Sequence, residues 1–254
     1  MKVAVSDYDG TIRMHSRVEA AVIRAIEQWR AKGNVFGIAS GRDLSMLDHE
    51  VKQFGIPFDF LICANGSIIY DHNYEVLHSV NIDDSLVPLV LRHQAALASM
   101  HYELCRNAVV YLYMRDARSW FPRLGVPFEE ISLDESFHIT GLQQLSLAYM
   151  TSREGNEYAQ MLNAAFGDNL HAHQNGACID ITLKGINKAT GILQLLKIKK
   201  WSQAKVVVIG DGHNDLDMIK RFQGFTVRGA MDDIIKKEAL AIYDNVADML
   251  RAHL

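Results

Sequence analysis

Asp7-Tyr8-Asp9-Gly10-Thr11 follows, after Ser6, the first apolar run of the chain, Val3-Ala4-Val5. Two carboxylates two residues apart at the end of a buried strand are costly, because an unpaired carboxylate resists burial and like charges repel. A divalent cation between them removes that cost. The spacing suits Asp7 as a nucleophilic carboxylate and Asp9 as its proton-transferring neighbour, with a hard metal such as Mg2+ holding a phosphate against both. Gly10 lets the chain turn sharply, and Thr11 adds a hydroxyl beside the acids. The alternative is a strand that ends in a polar turn with two solvated aspartates.

Three more segments offer what phosphoryl chemistry on a carboxylate requires. The apolar run Val35-Phe36-Gly37-Ile38-Ala39 ends in Ser40-Gly41-Arg42. A hydroxyl and free backbone N–H groups at a strand-to-helix junction can hold a phosphate, although Ser40 also fits an ordinary helix N-cap. Lys188 stands where a helix begins, after Gly185-Ile186-Asn187. The helix dipole does not favour a lysine there, so it is either a counter-charge for a phosphate or nucleophile, or a solvated surface residue. The run Lys205-Val206-Val207-Val208-Ile209 ends in Gly210-Asp211-Gly212-His213-Asn214-Asp215. Asp211 is a candidate third metal ligand and Asn214 a candidate phosphate contact; a plain Asp/Asn-rich turn is the alternative. Three such strand ends and a lysine at a helix start in one chain favour the chemical reading, because open parallel sheets bind ligands at their carboxyl edges.

These segments, in this order, resemble the four motifs of the haloacid dehalogenase-like (HAD) hydrolase superfamily, and most closely its Cof-type phosphatases. Ala64-Asn65-Gly66 after Phe60-Leu61-Ile62-Cys63, and Gly229-Ala230-Met231, also resemble that subgroup. The resemblance implies a Mg2+-dependent phosphatase for small phosphorylated metabolites that works through an aspartyl-phosphate on Asp7, with Asp9 as acid and base. It implies metal ligation by Asp7, the Asp9 main-chain carbonyl and Asp211, and phosphate contacts from Ser40, Gly41, Lys188, Asn214 and the main chain of Tyr8. Asp215 is then expected to orient Lys188 or a metal-bound water, and Arg42 to stand behind the phosphate site. Two departures stand out: Tyr8 where the family more often has an aliphatic residue, and Asp232-Asp233 where it usually continues with Gly-Asn-Ala. A phosphomutase with the same intermediate, and a non-enzymatic phospho-receiver or metabolite sensor, are the rival readings.

The elements that must position these residues alternate between short apolar strands and amphipathic helices. That pattern predicts an α/β core with a doubly wound parallel sheet, Rossmann-like by the resemblance. Ser16 is expected to cap a helix carrying Val18, Ala21, Val22, Ala25, Ile26 and Trp29 on one face and ending at Gly33, and a second helix is expected over 44–54, stopped by Gly55. Between about 83 and 184 the strands alternate in polarity, which predicts an inserted α+β cap with an antiparallel sheet. The core is then discontinuous, 1–82 and 185–254. Helices are expected near 85–100 and 153–166 in the cap. Asp180, polar within the apolar stretch Cys178-Ile179-Asp180-Ile181, is the cap residue singled out for substrate specificity. His171 and His173 share a strand face but lack a third ligand nearby for zinc. Tyr111 and Tyr113 read as one face of a cap strand.

Composition sets limits. The 254 residues, 49% hydrophobic and 22% charged, suffice for real cores in two domains. A net charge of −4 gives no electrostatic case for nucleic acid or an anionic membrane as partner. Cys63, Cys105 and Cys178 are odd in number and form no Cys-x-x-Cys, so they read as small buried residues in a reducing, cytoplasmic setting. No apolar stretch is long enough to span a bilayer, and none reads as a signal peptide.

Overall fold

The computed structural model describes residues 1–231 and 233–254. Eight strands form one sheet in the order Ile242–Tyr243, Gln223–Val227, Lys205–Gly210, Lys2–Ser6, Val35–Ala39, Phe60–Cys63, Ile68–Asp71, Val76–Ser79. The first six are parallel, and the last two fold back as antiparallel hairpins. The chain leaves the central strand Lys2–Ser6 in one direction and returns to its other flank with Lys205–Gly210. The order therefore reverses beside Lys2–Ser6, where an open sheet gapes at its carboxyl edge.

Both faces of this sheet are covered, so its strands are apolar throughout. Ala4, Phe36, Ile38 and Val207 pack under the helices Ala20–Ala31, Leu44–Phe54 and Val246–His253. Val3, Val5, Ala39 and Val208 face the helices Lys188–Ile198 and Leu216–Arg221 on the other side. The helix over 44–54 is capped by the Asp43 side chain, which accepts a hydrogen bond from Ser45 N at 2.8 Å, and it ends at left-handed Gly55 as expected.

A second, six-stranded sheet lies between residues 101 and 183, in the order Glu129–Glu130, Val109–Met114, His101–Arg106, Gln144–Ala148, Cys178–Leu183, Leu170–Asn175. Its pairings are antiparallel except for the short edge strand Glu129–Glu130. One face buries Tyr102, Leu104, Leu145, Leu147, Ile179 and Ile181 against helical residues such as Leu91 and Leu162. The other face carries Glu103, Gln144, Ser146 and Asp180 towards the first sheet. The strand pairing sets Glu103 opposite Ser146, and Ser146 opposite Asp180, in one row across three strands.

Several expectations need correction. Ser16 caps no helix: His15 and Ser16, at φ 51° and 62°, form the turn of a hairpin between Arg13–Met14 and Arg17–Val18. Two consecutive positive φ values are what a tight hairpin turn needs, so the helix starts only at Ala20, after Glu19. The single helix expected near 85–100 is two, Val87–Arg92 and Gln94–Ala98. They are broken at His93, whose extended backbone ends one helix while its ring accepts from Ala95 N to start the next. Strands at Val76–Ser79 and Ile242–Tyr243 were not expected. Asp232 lies outside the described residues; Asp233 is exposed and opens the helix Asp233–Glu238.

The close packing of strand Gln223–Val227 on its preceding helix generates a stability prediction. A Cβ on Gly224 would lie 2.1 Å from the Ile219 carbonyl oxygen and 2.5 Å from Ile219 Cα, backbone atoms that cannot swing aside. Gly224→Ala should lower stability by about 1–3 kcal/mol, read as a lower urea midpoint at unchanged slope. An unchanged midpoint would contradict this packing.

Candidate active site

Asp7 is the first residue past the central strand. Its N–H donates to Ile209 O at 2.9 Å, which prolongs the ladder and leaves the buried side chain at the carboxyl edge. Gly10, at φ 81°, turns the chain back over the neighbouring strand end, where a Cβ would stand 2.2 Å from Asp211 Oδ2. Glycine is required twice over, for the backbone angle and for the approach of Asp211. Thr11 Oγ1 donates to Asp211 Oδ1 at 2.7 Å.

Lys188 reaches this edge from the first turn of its helix, which Asn187 caps by accepting from Thr190 N at 2.9 Å. The lysine is wholly buried, and its Nζ donates to Asp7 Oδ1 at 2.6 Å and to Asp215 Oδ1 at 2.7 Å. The other Asp215 oxygen accepts from the N–H groups of Asp211 and Gly212, at 3.0 and 2.9 Å. Burial opposes the lysine's charge, but the Asp215 and Asp7 carboxylates outweigh it and hold its pKa above the ordinary value. For Asp7, burial and then the nearby Asp215 charge push the pKa well up against the pull of Lys188. Burial also raises Asp211.

Asp7, Asp211 and Asp215 bring carboxylate oxygens within 4.8 Å of one another, the one such cluster of three metal-ligating groups among the described residues. Three acids face one ammonium, and Asp7 and Asp211 stand close enough to share a hydrogen bond. An oxygen-only set with surplus negative charge fits a hard divalent cation, which would relieve the repulsion among the three carboxylates. Because both Asp215 oxygens are engaged by Lys188 and main-chain amides, Asp7 and Asp211 are the carboxylates left to face such an ion.

Asp9 is held differently. Arg42 grips it with two hydrogen bonds, Nε to Oδ2 at 2.6 Å and Nη2 to Oδ1 at 2.7 Å, and reaches Glu50 Oε1 with Nη1 at 2.8 Å. The Tyr8 side chain points away from Asp7 into the core, and its hydroxyl donates to Glu50 Oε2 at 2.7 Å. The aromatic departure at Tyr8 thus anchors Glu50, which anchors the arginine that orients Asp9.

Ser40 Oγ accepts from Arg42 N at 3.1 Å, and the loop Ala64-Asn65-Gly66 is stitched beneath it by Asn65 N to Ser40 O at 3.0 Å and Ala64 N to Arg42 O at 2.9 Å. Ser40, Gly41, Asn214, Asp7 and Asp211 line a cavity of about 50 Å³, room for a few water-sized groups. The structure also brings in residues that carry no role in the sequence reading. Asn65 joins the two sheets: its Oδ1 accepts from Asn214 at 3.1 Å, and its Nδ2 donates to Asp180 Oδ2 at 3.0 Å and Gln144 Oε1 at 3.2 Å. Gln144 Nε2 donates to Gly41 O at 2.8 Å. Asn175, at the hairpin between Leu170–Asn175 and Cys178–Leu183, lines the same cavity. Only Asn65 has a signal in the sequence, as part of Ala64-Asn65-Gly66; Gln144 and Asn175 depend on strand register.

Asp180 is buried, and it accepts from Ser146 Oγ at 2.8 Å as well as from Asn65. Burial pushes its pKa up to about 6, against those two hydrogen bonds. His171 and His173 stack with ring centroids 3.9 Å apart. The pKa of His173 is lowered to about 3 by burial and by its neighbour, and its Nε2 lies 3.1 Å from Thr182 Oγ1 and 3.2 Å from Ile186 O. Tyr111 accepts from Arg106 and Tyr113 packs on Tyr102. The three cysteines are free.

A model of the haloacid dehalogenase-like hydrolase family matches residues 4–248. The chain is 23% identical over 231 residues to 5-amino-6-(5-phospho-D-ribitylamino)uracil phosphatase YbjI of Escherichia coli K12, covering 87% of this chain and 82% of that one. It is 24% identical over 253 residues to the Bacillus subtilis protein of the same activity, YcsE, covering 98% and 92%. Among solved structures, a HAD subclass IIB sugar phosphatase superposes with a TM-score of 0.84 at 19% identity, over 100% of this chain and 99% of that one. With its four motifs at one sheet edge and a family match from end to end, the chain belongs to the haloacid dehalogenase-like hydrolases.

Proposed function

We propose that this hydrolase is a Mg2+-dependent phosphatase of small phosphomonoesters, acting through an aspartyl-phosphate on Asp7. The observation that carries the reading is the Asp7 carboxylate itself: buried, tied by one oxygen to Lys188, and set beside Asp211 at the open sheet edge. Relatives named as phosphatases support the reaction class. Mg2+, held by Asp7, the Asp9 main-chain carbonyl and Asp211, would supply positive charge against the phosphate oxygens. Lys188, Ser40, the Gly41 amide and Asn214 stabilise the remaining charge on the transferring group. Asp7 attacks phosphorus, the bond to the leaving oxygen breaks, and Asp9 gives that oxygen its proton. Asp9 then takes a proton from water as it attacks the same phosphorus, releasing inorganic phosphate and restoring the Asp7 carboxylate.

The module of residues 83–184 acts in this reading as a cap that covers the site and excludes water. Its latch is the chain Asn214–Asn65–Asp180–Ser146, with Gln144 fastened to Gly41. Its two anchors on the first sheet, Asn214 and Gly41, line the phosphate cavity, so closure and phosphate binding favour each other.

Three outcomes test this account. Asp7→Asn should abolish phosphate release from p-nitrophenyl phosphate, since an amide is a poor nucleophile; near-normal release would sink the mechanism. Chelation should stop turnover and Mg2+ restore it, with Ca2+ a poor substitute because its coordination is looser; full activity after exhaustive chelation contradicts the metal assignment. The third concerns the latch. A carboxyl whose folded pKa is raised to about 6 contributes stability that is complete below the ordinary aspartate range and is lost as pH rises through 6. Between pH 4 and 7 the unfolding free energy of Asp180→Asn should therefore gain on the parent by up to roughly 3 kcal/mol. A pH-independent difference would mean that Asp180 is not buried in this way.

A further inference from the structure

Beyond the phosphate cavity lies a second one of about 270 Å³, between the polar face of the cap sheet and Arg42. The two cavities share Asp9, Gly41, Arg42 and Asn175, so an alcohol leaving from phosphorus past Asp9 enters the second. Asp9, Asp43, Glu103 and Asp180 line it, and Arg42 is the one basic residue among its walls. Arg42 is already spent on Asp9 and Glu50. Asp43 caps a helix and Asp180 holds the latch.

Glu103 is the exception. It is 6% exposed and stands in the row with Ser146 and Asp180, and its side chain makes no hydrogen bond among the described residues. Behind it is wholly buried His101, whose Nδ1 lies 2.9 Å from Ser119 Oγ. The His101 Nε2 is 3.4 Å from a Glu103 oxygen and has no hydrogen-bond partner. A nearly buried carboxylate without donors is costly and is relieved by a ligand that brings them. Trp120 and Leu124 add an apolar wall beside it.

We propose that Glu103 selects the leaving group: its carboxylate accepts hydrogen bonds from a hydroxyl-bearing, non-anionic alcohol in this cavity and repels an anionic one. This assignment rests on the phosphatase reading above. It deepens that reading by dividing phosphomonoesters into two classes. Polyol and sugar phosphates supply hydroxyl donors to Glu103. Phosphorylated hydroxy acids bring a carboxylate into a cavity that already holds four acids and no free cation.

A matched pair of substrates tests it. Glycerol 3-phosphate and 3-phosphoglycerate differ in one carbon, a hydroxymethyl in the first and a carboxylate in the second. The parent enzyme should favour glycerol 3-phosphate in kcat/KM by about tenfold or more, because like-charge juxtaposition is strongly disfavoured. Glu103→Gln should shrink that ratio by about tenfold, and Glu103→Asp, which keeps the charge, should retain a preference of the same sign. A ratio of two kcat/KM values does not depend on how much of a variant is folded, so a folding defect cannot imitate the result. A parent ratio near one, or one that Glu103→Gln leaves unchanged, overturns the assignment even where p-nitrophenyl phosphate is hydrolysed. No phosphate from any of the three esters overturns the assignment and the phosphatase reading together.

Discussion

Lys188 is buried between Asp7 and Asp215, and the remainder of the site is arranged around that contact. An ammonium without water is tolerated only where its charge is matched and its donors are used. Two carboxylates at 2.6 and 2.7 Å meet the demand from one side. They overshoot it once Asp211 is added, and the surplus negative charge suits the same cluster to a cation. Asp215 shows how closely the parts interlock. A Cβ on Gly210 would fall 2.4 Å from its Cγ, so the end of that strand must be glycine for Asp215 to reach Lys188.

From that centre the two sheets divide the work. The core contributes groups from four strand ends, brought together because the parallel order reverses beside Lys2–Ser6. The second sheet contributes the polar row Glu103, Ser146 and Asp180 on the face turned to the first. Asn65, at φ 52°, and Ala64, at φ 49°, sit at the join. Asparagine tolerates this conformation, but alanine does so only under strain. Both are held by main-chain bonds to Ser40 and Arg42, so the loop that meets the second sheet is fixed to the Ser40-Gly41-Arg42 segment at the carboxyl edge of the first.

The core was largely legible in the sequence because its signals are local. Continuous apolar strands announced burial on both faces, Gly55 announced a helix end, and Lys188 was conspicuous at a helix start. His15-Ser16 was not legible, because nothing in either residue type announces two positive φ values in a row. The break at His93 depends on a histidine acting as a cap, a role its sequence context does not advertise. In the cap, polar and apolar residues alternate, so the strands could be found but their neighbours could not. Glu103, Ser146 and Asp180 are far apart in the chain and meet only through strand register. The Arg42–Asp9 pair and the anchoring of Glu50 by Tyr8 were hidden for the same reason.

The central claim is that phosphate passes through the Asp7 carboxylate. Quenching the enzyme in acid during turnover and weighing its peptides tests this directly. The peptide that contains Asp7 should carry the added mass of one phosphoryl group while substrate lasts, and lose it when substrate is exhausted. Brisk phosphate release with an unmodified Asp7 peptide, or with the phosphoryl group on another residue, would contradict the account.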